Sequence, residues 1–311
     1  MRFGLMTTLT GATWNGVATL WQHIEATGWD VACVTDHFMP NLPDPVGDTL
    51  ECWTTLSGLA GLTRRMRIGT LVSANTFRHP AVLAKMAATL DIMSGGRLIC
   101  GLGAGWQENE HRAYGIPFYT MAERLERLDE ACQVLKQLWT QPKTSFEGRH
   151  YRLTAAPLFP KPVQQSHPEL LIGGGGEKVT LGIVARHADL WNVWGGPGVL
   201  ARKGKILEEQ CASGGRDPRA IVRSANMPLL FTDSKAEAER LVGGVARRLG
   251  WHVQDPPDTV LAGSIGAITD KVGRLKEAGV GLLFIPTIFL SPPFEPTLDR
   301  FIGEVAPAFR P

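Results

Sequence analysis

Short runs of Val, Ile and Leu alternate with amphipathic stretches from one end of the chain to the other. Arg2–Met6 leads to helical periodicity near Val17–Thr27, Asp30–Val34 to Glu51–Leu62, Arg67–Val72 to Pro80–Met93, and Arg97–Gly101 to Met121–Trp139. Leu170–Gly173 leads to Lys178–His187, Leu190–Val193 to Val199–Ala212, Ile221–Phe231 to Lys235–Leu249, and Leu282–Thr287 to Pro296–Val305. The apolar runs are continuous rather than alternating, as parallel strands covered on both faces require. Eight strand-then-helix units in succession predict an α/β fold, a (β/α)8 TIM barrel.

The helical stretches carry their own punctuation. In Pro80–Met93 the residues Val82, Leu83, Met86, Ala87 and Leu90 recur at helical spacing, Pro80 suits a first turn, and Ser94-Gly95-Gly96 supplies a stop. In Met121–Trp139 the residues Leu125, Leu128, Cys132, Leu135 and Trp139 mark one face, with Glu123, Arg127 and Glu130 on the solvated side. Both stripes are expected to pack into the core. Two insertions, near 140–169 and 251–264, exceed a minimal barrel. Ser145–Tyr151 reads as a hairpin turning at Gly148, and Trp251–Ser264 as a Pro/Gly/Asp loop before a further helix at Ala267–Ala278. The whole of 1–311 is expected to form a single domain.

Composition narrows the partners. A net charge of +2, from 32 basic and 30 acidic residues spread evenly, leaves no basic stripe for nucleic acid. A small-molecule substrate is expected instead. Cys33, Cys52, Cys100, Cys132 and Cys211 show no close pairing and read as reduced, buried thiols. The opening strand lacks the layout of a signal peptide, and the apolar stretch Gly279–Leu290 is broken by Pro286 and too short to span a bilayer. A cytoplasmic protein without membrane contact is the expectation.

In such a barrel chemistry belongs at the C-terminal ends of the strands. After the second strand comes Thr35-Asp36-His37-Phe38, where a histidine can exchange a proton near neutral pH, or simply be a satisfied core group. After the third, the small and polar Ser73-Ala74-Asn75 suggest a bulge. After the fourth, Gly101-Leu102-Gly103-Ala104-Gly105-Trp106 lets a flat ligand approach the backbone, yet lacks the spacing of a dinucleotide fingerprint. After the fifth, Gly173-Gly174-Gly175-Gly176 runs into Glu177-Lys178, which reads as a phosphate cradle, with Lys178 adding charge, or as a flexible turn. No metal set is apparent, since Glu108-Asn109-Glu110-His111 lacks the H-E-x-x-H spacing.

Taken together in this order, several segments resemble the luciferase-like superfamily of flavin- and deazaflavin-dependent oxidoreductases. They are Val34–Phe38, Arg78–Ala84, Ser94–Leu98, Gly101–Trp106, Phe146–Gly148, Leu171–Gly176 and Ala185–Asn192. The resemblance covers nearly the whole chain and is strongest to the coenzyme F420-dependent oxidoreductases. It implies a cofactor ring on a bulge after strand three, often with a non-proline cis peptide, here Leu71–Val72. Asp36, Leu71, Val72, Ser73, Ala104, Gly105, Trp106 and Gly173–Gly176 would bind cofactor, and His37 would stand at the reactive carbon. Trp14, Asn75 and Trp194 are expected to line the substrate pocket.

F420-dependent glucose-6-phosphate dehydrogenases carry a glutamate where this chain has Trp106, so sugar-phosphate oxidation is not expected. The tryptophans near strand ends suit a flatter or more apolar substrate. The resemblance thus implies an F420-dependent oxidoreductase that transfers hydride to or from an organic substrate. An FMN-dependent monooxygenase of the same fold is the alternative, and a non-catalytic flavin-binding protein a third. A homodimer is the default assembly for this superfamily.

Overall fold

The computed structural model describes residues 1–42, 45–250 and 256–310. Eight parallel strands close into a barrel: β1 (Arg2–Thr7), β2 (Val31–Val34), β3 (Arg67–Thr70), β4 (Leu98–Gly103), β5 (Glu169–Gly173), β6 (Leu190–Trp194), β7 (Val222–Asn226) and β8 (Val280–Pro286). Each pairs in parallel with the next, and β8 returns to β1 through Arg2↔Leu282 to Met6↔Pro286. The expected TIM barrel is therefore the fold observed.

The continuous apolar runs have a double use. Val31, Cys33, Ile99, Leu171, Leu190, Leu282 and Phe284 fill the barrel interior. Their neighbours Ala32, Val34, Leu98, Cys100, Leu170, Ile172, Leu283 and Ile285 pack outward under the helices. Both faces leave water, which is why these strands are mostly apolar; Asn192 of β6, a polar exception, donates to the buried Ser224 of β7.

The helices start and stop where side chains serve the backbone. Helix α1 (Trp14–Thr27) is capped by the Thr13 hydroxyl, which accepts the Gly16 N–H, and ends at Gly28 with φ of 95°. The second, α2, spans Cys52–Leu62, with Glu51 capping it, and α3 spans Pro80–Met93 from a His79 cap to Ser94. After a six-residue helix α4 (Glu108–Ala113), α5 runs over Met121–Thr140 with Thr120 accepting the Glu123 N–H. Helices α6 (Thr180–His187) and α7 (Pro197–Ser213) follow β5 and β6.

The hairpin forms outside the barrel from Lys143–Glu147 and Arg152–Pro157 in antiparallel register. Glu130 of α5, expected on the solvated side, holds that hairpin instead. Its carboxylate accepts the N–H groups of Arg149, His150 and Tyr151.

Several boundaries differ from expectation for local reasons. The third strand stops at Thr70 rather than Val72, because the chain leaves the ladder at a cis peptide between Leu71 and Val72 and resumes pairing with β4 at Ser73–Ala74. The fourth runs on to Gly103. Ile221–Phe231 is two strands, not one. Pro228 has no N–H to donate, the barrel strand ends at Asn226, and Leu229–Phe231 pairs apart with Leu261–Gly263. The last helix is regular only over Glu295–Arg300, then widens to a five-residue bond in which Ala306 N–H reaches Phe301 O. Of the Trp251–Ser264 loop, positions 251–255 lie outside the described residues; the remainder includes the strand Leu261–Gly263.

Candidate active site

The C-terminal strand ends converge on one mouth, and β2 delivers its histidine there. The His37 ring Nδ1 lies 2.9 Å from Glu110 Oε1, while Glu110 Oε2 accepts the Phe38 N–H at 2.9 Å. Glu110 belongs to α4 and its side chain is 1% exposed, against 24% for His37. An ionised carboxylate only accepts, so the shared proton sits on Nδ1 and the imidazole presents Nε2 as its remaining basic nitrogen. The Trp106 ring meets the His37 ring edge-on, with centroids 5.6 Å apart. Sequence reading missed Glu110. The signal available was a carboxylate in the connection after β4, facing a histidine after β2.

Asp36, expected at the cofactor, is held within the protein. Arg78 donates to both its oxygens, at 2.5 and 3.2 Å, and bonds Glu51 at 2.6 Å. Burial pushes the Asp36 carboxyl up, and the Arg78 guanidinium and a hydrogen bond from Ser73 oppose that. The carboxylate is thus spent on tying β2 to the segment after β3. Ser73, expected at the cofactor, is likewise engaged: it is buried, and Trp53 Nε1 donates to its hydroxyl at 2.8 Å.

The cis bond falls at Leu71–Val72, where the resemblance implied it. Leu71 points into the barrel interior, while Val72 is half-buried at the strand ends. A Cβ on Gly103 would come within 2.7 Å of Val72 Cγ2, and one on Gly173 within 2.9 Å of Cγ1. Those two glycines are bare because the valine of the bulge needs the room, and together the three make a smooth shelf across β3, β4 and β5.

Beyond the shelf, Gly105 has φ of 81° and a Cβ there would approach Thr76 Oγ1 to 2.9 Å. His111 braces this turn, with Nε2 2.7 Å from Thr76 Oγ1 and Nδ1 2.7 Å from Gln107 O. Ala104 is half-buried beside it. Asn75 is buried, and its Nδ2 donates to Tyr151 Oη at 3.2 Å. Its Oδ1 has no partner among the described residues. A buried acceptor left open beside the bulge fits a ligand carrying a ring N–H.

The glycine loop after β5 differs from a simple helix-end cradle. The Gly174 N–H donates to Asn192 O at 2.9 Å, and Trp191 Nε1 donates to Gly174 O at 2.7 Å. Gly174 therefore has no amide to offer an anion, and its φ of 137° suits glycine. Helix α6 opens only at Thr180, and Leu181 N–H is already taken by Gly176 O. Lys178 is exposed rather than aimed at the loop. Its expected place is filled by the buried Lys203 of α7, whose Nζ donates to Gly175 O and meets Glu177 Oε1 at 3.0 Å. Hydrogen bonds from Arg202 and Lys203 hold the Glu177 carboxyl below its usual value.

Two pocket expectations part company. Trp194 ends β6 half-buried at the mouth, edge-on to Phe289 with centroids 6.2 Å apart. Trp14 lies elsewhere. It is 41% exposed and covers Gly58 of α2, where an added Cβ would fall 2.6 Å from its ring, so it sits on the outer wall between helices.

Among the described residues no group of three His, Cys, Asp or Glu is placed to hold a metal ion, and no helix is long and apolar enough to cross a membrane. All five cysteines are buried, and burial pushes the Cys132 thiol up to about 12.

The chain is similar to known proteins. The luciferase-like monooxygenase family model matches residues 1–279. An F420-dependent glucose-6-phosphate dehydrogenase of Kineococcus radiotolerans is 33% identical over 219 residues, 69% of this chain and 63% of its own length. An FMNH2-dependent dimethylsulfone monooxygenase of Pseudomonas putida is 32% identical over 195 residues, 63% of this chain and 53% of its own. The chain thus spans between about half and two thirds of the length of these curated relatives. An F420-dependent secondary alcohol dehydrogenase, solved with an F420-acetone adduct, superposes with a TM-score of 0.85 at 23% identity, covering 100% of this chain and 99% of its own.

Proposed function

This chain belongs to the luciferase-like monooxygenase family, and we propose that it is a coenzyme F420-dependent oxidoreductase moving hydride to or from a small organic substrate. The observation that carries the reading is the His37–Glu110 pair beside the Leu71–Val72 bulge. A bound deazaflavin supplies hydride chemistry at its ring. The chain's own residues supply the rest. Val72, Gly103 and Gly173 form the shelf for a flat ring, with Ala104, Gly105 and Trp106 bordering it. Gly175 and Gly176 have amides for a phosphate. His37, oriented through Nδ1 by Glu110, takes or returns a proton on the substrate through Nε2. Trp106 and Trp194 make the substrate side apolar, which favours an alcohol, ketone or similar uncharged compound over a sugar phosphate.

FMN is the second reading, favoured by the 32% identity to an FMNH2-dependent monooxygenase. Titrating the apo-protein with F420 and with FMN, followed by absorbance, separates the two. Tighter binding of F420 is expected. Tighter binding of FMN, with substrate oxygenation when the flavin is reduced, would replace the first reading by the second. The reading further takes residues 1–311 as one domain, in a cytoplasmic homodimer. Five buried free thiols favour a reducing compartment.

A further inference from the structure

Lys203 lies within the second turn of α7 and is only 5% exposed. Burying an ammonium is costly unless it is well partnered, and its partners all belong to the glycine loop. They are the Gly175 carbonyl and the Glu177 carboxylate, which Arg202 shares at 2.5 Å. The loop rests directly on this cation: a Cβ on Gly175 would be 3.4 Å from Nζ and 2.7 Å from Val193 Cγ2.

The geometry has a consequence one atom further along. The carbonyl of Gly175 and the N–H of Gly176 belong to one planar trans unit and point in opposite directions. Clamping the carbonyl down onto α7 turns the Gly176 amide up and away from it. On the other side Trp191 and Asn192 pin Gly174. The loop is thus fixed at both ends, with the amides of Gly175 and Gly176 between.

We propose that Lys203 is the positioning residue of an anion seat for a phosphate ester, and that Glu177 is an internal carboxylate that weakens this seat. Lys203 sets the Gly175–Gly176 peptide and lends the seat its buried charge. Glu177 shares that charge, so its removal leaves more for the ligand. This rests on the cofactor reading given above, which already puts the phosphate at the glycine loop, and adds the two side chains that set how firmly the loop holds it.

The test compares matched ligands by titration of the apo-protein: F420 against the same deazaflavin lacking its phosphate-bearing tail, and FMN against riboflavin. Wild type is expected to prefer the phosphate-bearing member of at least one pair. Lys203→Met should cut that preference by about tenfold or more, leaving the phosphate-free member bound as before. Lys203→Arg should keep part of it, and Glu177→Gln should increase it by about threefold. If Lys203→Met weakens both members equally, or changes neither, Lys203 is structural and the proposal is overturned. Should that variant not fold, Glu177→Gln decides, and an unchanged preference there overturns it. A wild type that binds the rings but ignores the phosphate removes this proposal alone. A wild type that binds none of the four ligands removes the cofactor reading as well.

Discussion

At the scale of single residues, His37 and Glu110 divide one task. In the proposed reading the imidazole exchanges a proton through Nε2, and the carboxylate, bonded to Nδ1, decides which nitrogen faces the substrate. His37→Ala should lower kcat by about 10²–10⁴-fold, the usual contribution of a positioned acid or base. Glu110→Gln should act differently, since an amide can accept only through its oxygen and would present N–H groups to a neighbouring donor. We expect a smaller loss of kcat, about 10-fold to 100-fold, with a displaced pH profile and nearly unchanged KM. Steady-state kinetics from pH 5 to 9 checks both; a Glu110→Gln profile superposable on wild type would reduce Glu110 to a structural brace. His37 stands out in the sequence as a candidate because it lies just past an apolar strand. Glu110 does not, because it lies 73 residues away on a helix too short to show periodicity. The engagement of Asp36 was illegible for a related reason. Its partner Arg78 is 42 residues off, and only the folded chain shows that the carboxylate is already satisfied.

At the scale of elements, long apolar strands and capped helices could be read directly, whereas connections that depend on tertiary partners could not. The Pro80–Met93 helix begins and ends where its proline and glycines indicate. The Gly173–Gly176 loop reads from sequence as a candidate ligand cradle or a flexible turn, but sequence does not show that Gly174 is consumed by Asn192 and Trp191, nor that a side chain on Gly175 would point into Val193 and Lys203. A Gly175→Val change would therefore disturb the loop itself instead of simply obstructing a ligand. One contact between elements carries a pH dependence. Asp129 of α5 accepts from Arg186 at 2.7 Å and from His187 at 2.9 Å, both in the last turn of α6. Burial alone would raise its carboxyl, but these hydrogen bonds overcome it and bring it down to about 2. A folded value below the unfolded one means stability present above about pH 4 and lost as pH falls through 2. Asp129→Asn should cost about 1–2 kcal/mol at pH 7, and that difference should shrink steadily between pH 4 and pH 2. Urea unfolding of both proteins across this range measures it. A difference constant with pH would mean that packing, not charge, is what the substitution disturbs.

At the scale of the whole molecule, the barrel buries its helices unevenly, and that asymmetry bears on assembly. Helices α1, α2 and α3 are neighbours around one flank. Between them they expose Trp14, Leu62, Val82, Ile92 and Met93, with Val82 at 55% and Met93 at 56%. Among the described residues, α6 and α7 on the far side expose no large hydrophobic side chain. Other exposed apolar residues, such as Met121, Phe159 and Val163, lie outside these helices, but the five on three neighbouring helices offer a face that a second copy can cover. A two-fold axis placing α1–α3 of one copy against those of another would cover them, and a stable dimer of this kind buries about 1,200–2,000 Å² in total. The candidate site opens at the strand ends rather than through this flank, so pairing there leaves it accessible. Wild type at tens of micromolar should therefore sediment at twice its chain mass of 33.9 kDa. Placing charges in the flank, as Val82→Asp with Met93→Asp, should shift it to a single chain, because burying unpaired carboxylates in an apolar interface is costly. Cofactor affinity should survive the change, since neither residue touches the shelf or the glycine loop. A monomeric wild type would dismiss the homodimer. A double variant that stays dimeric would leave the pairing but move it to another face.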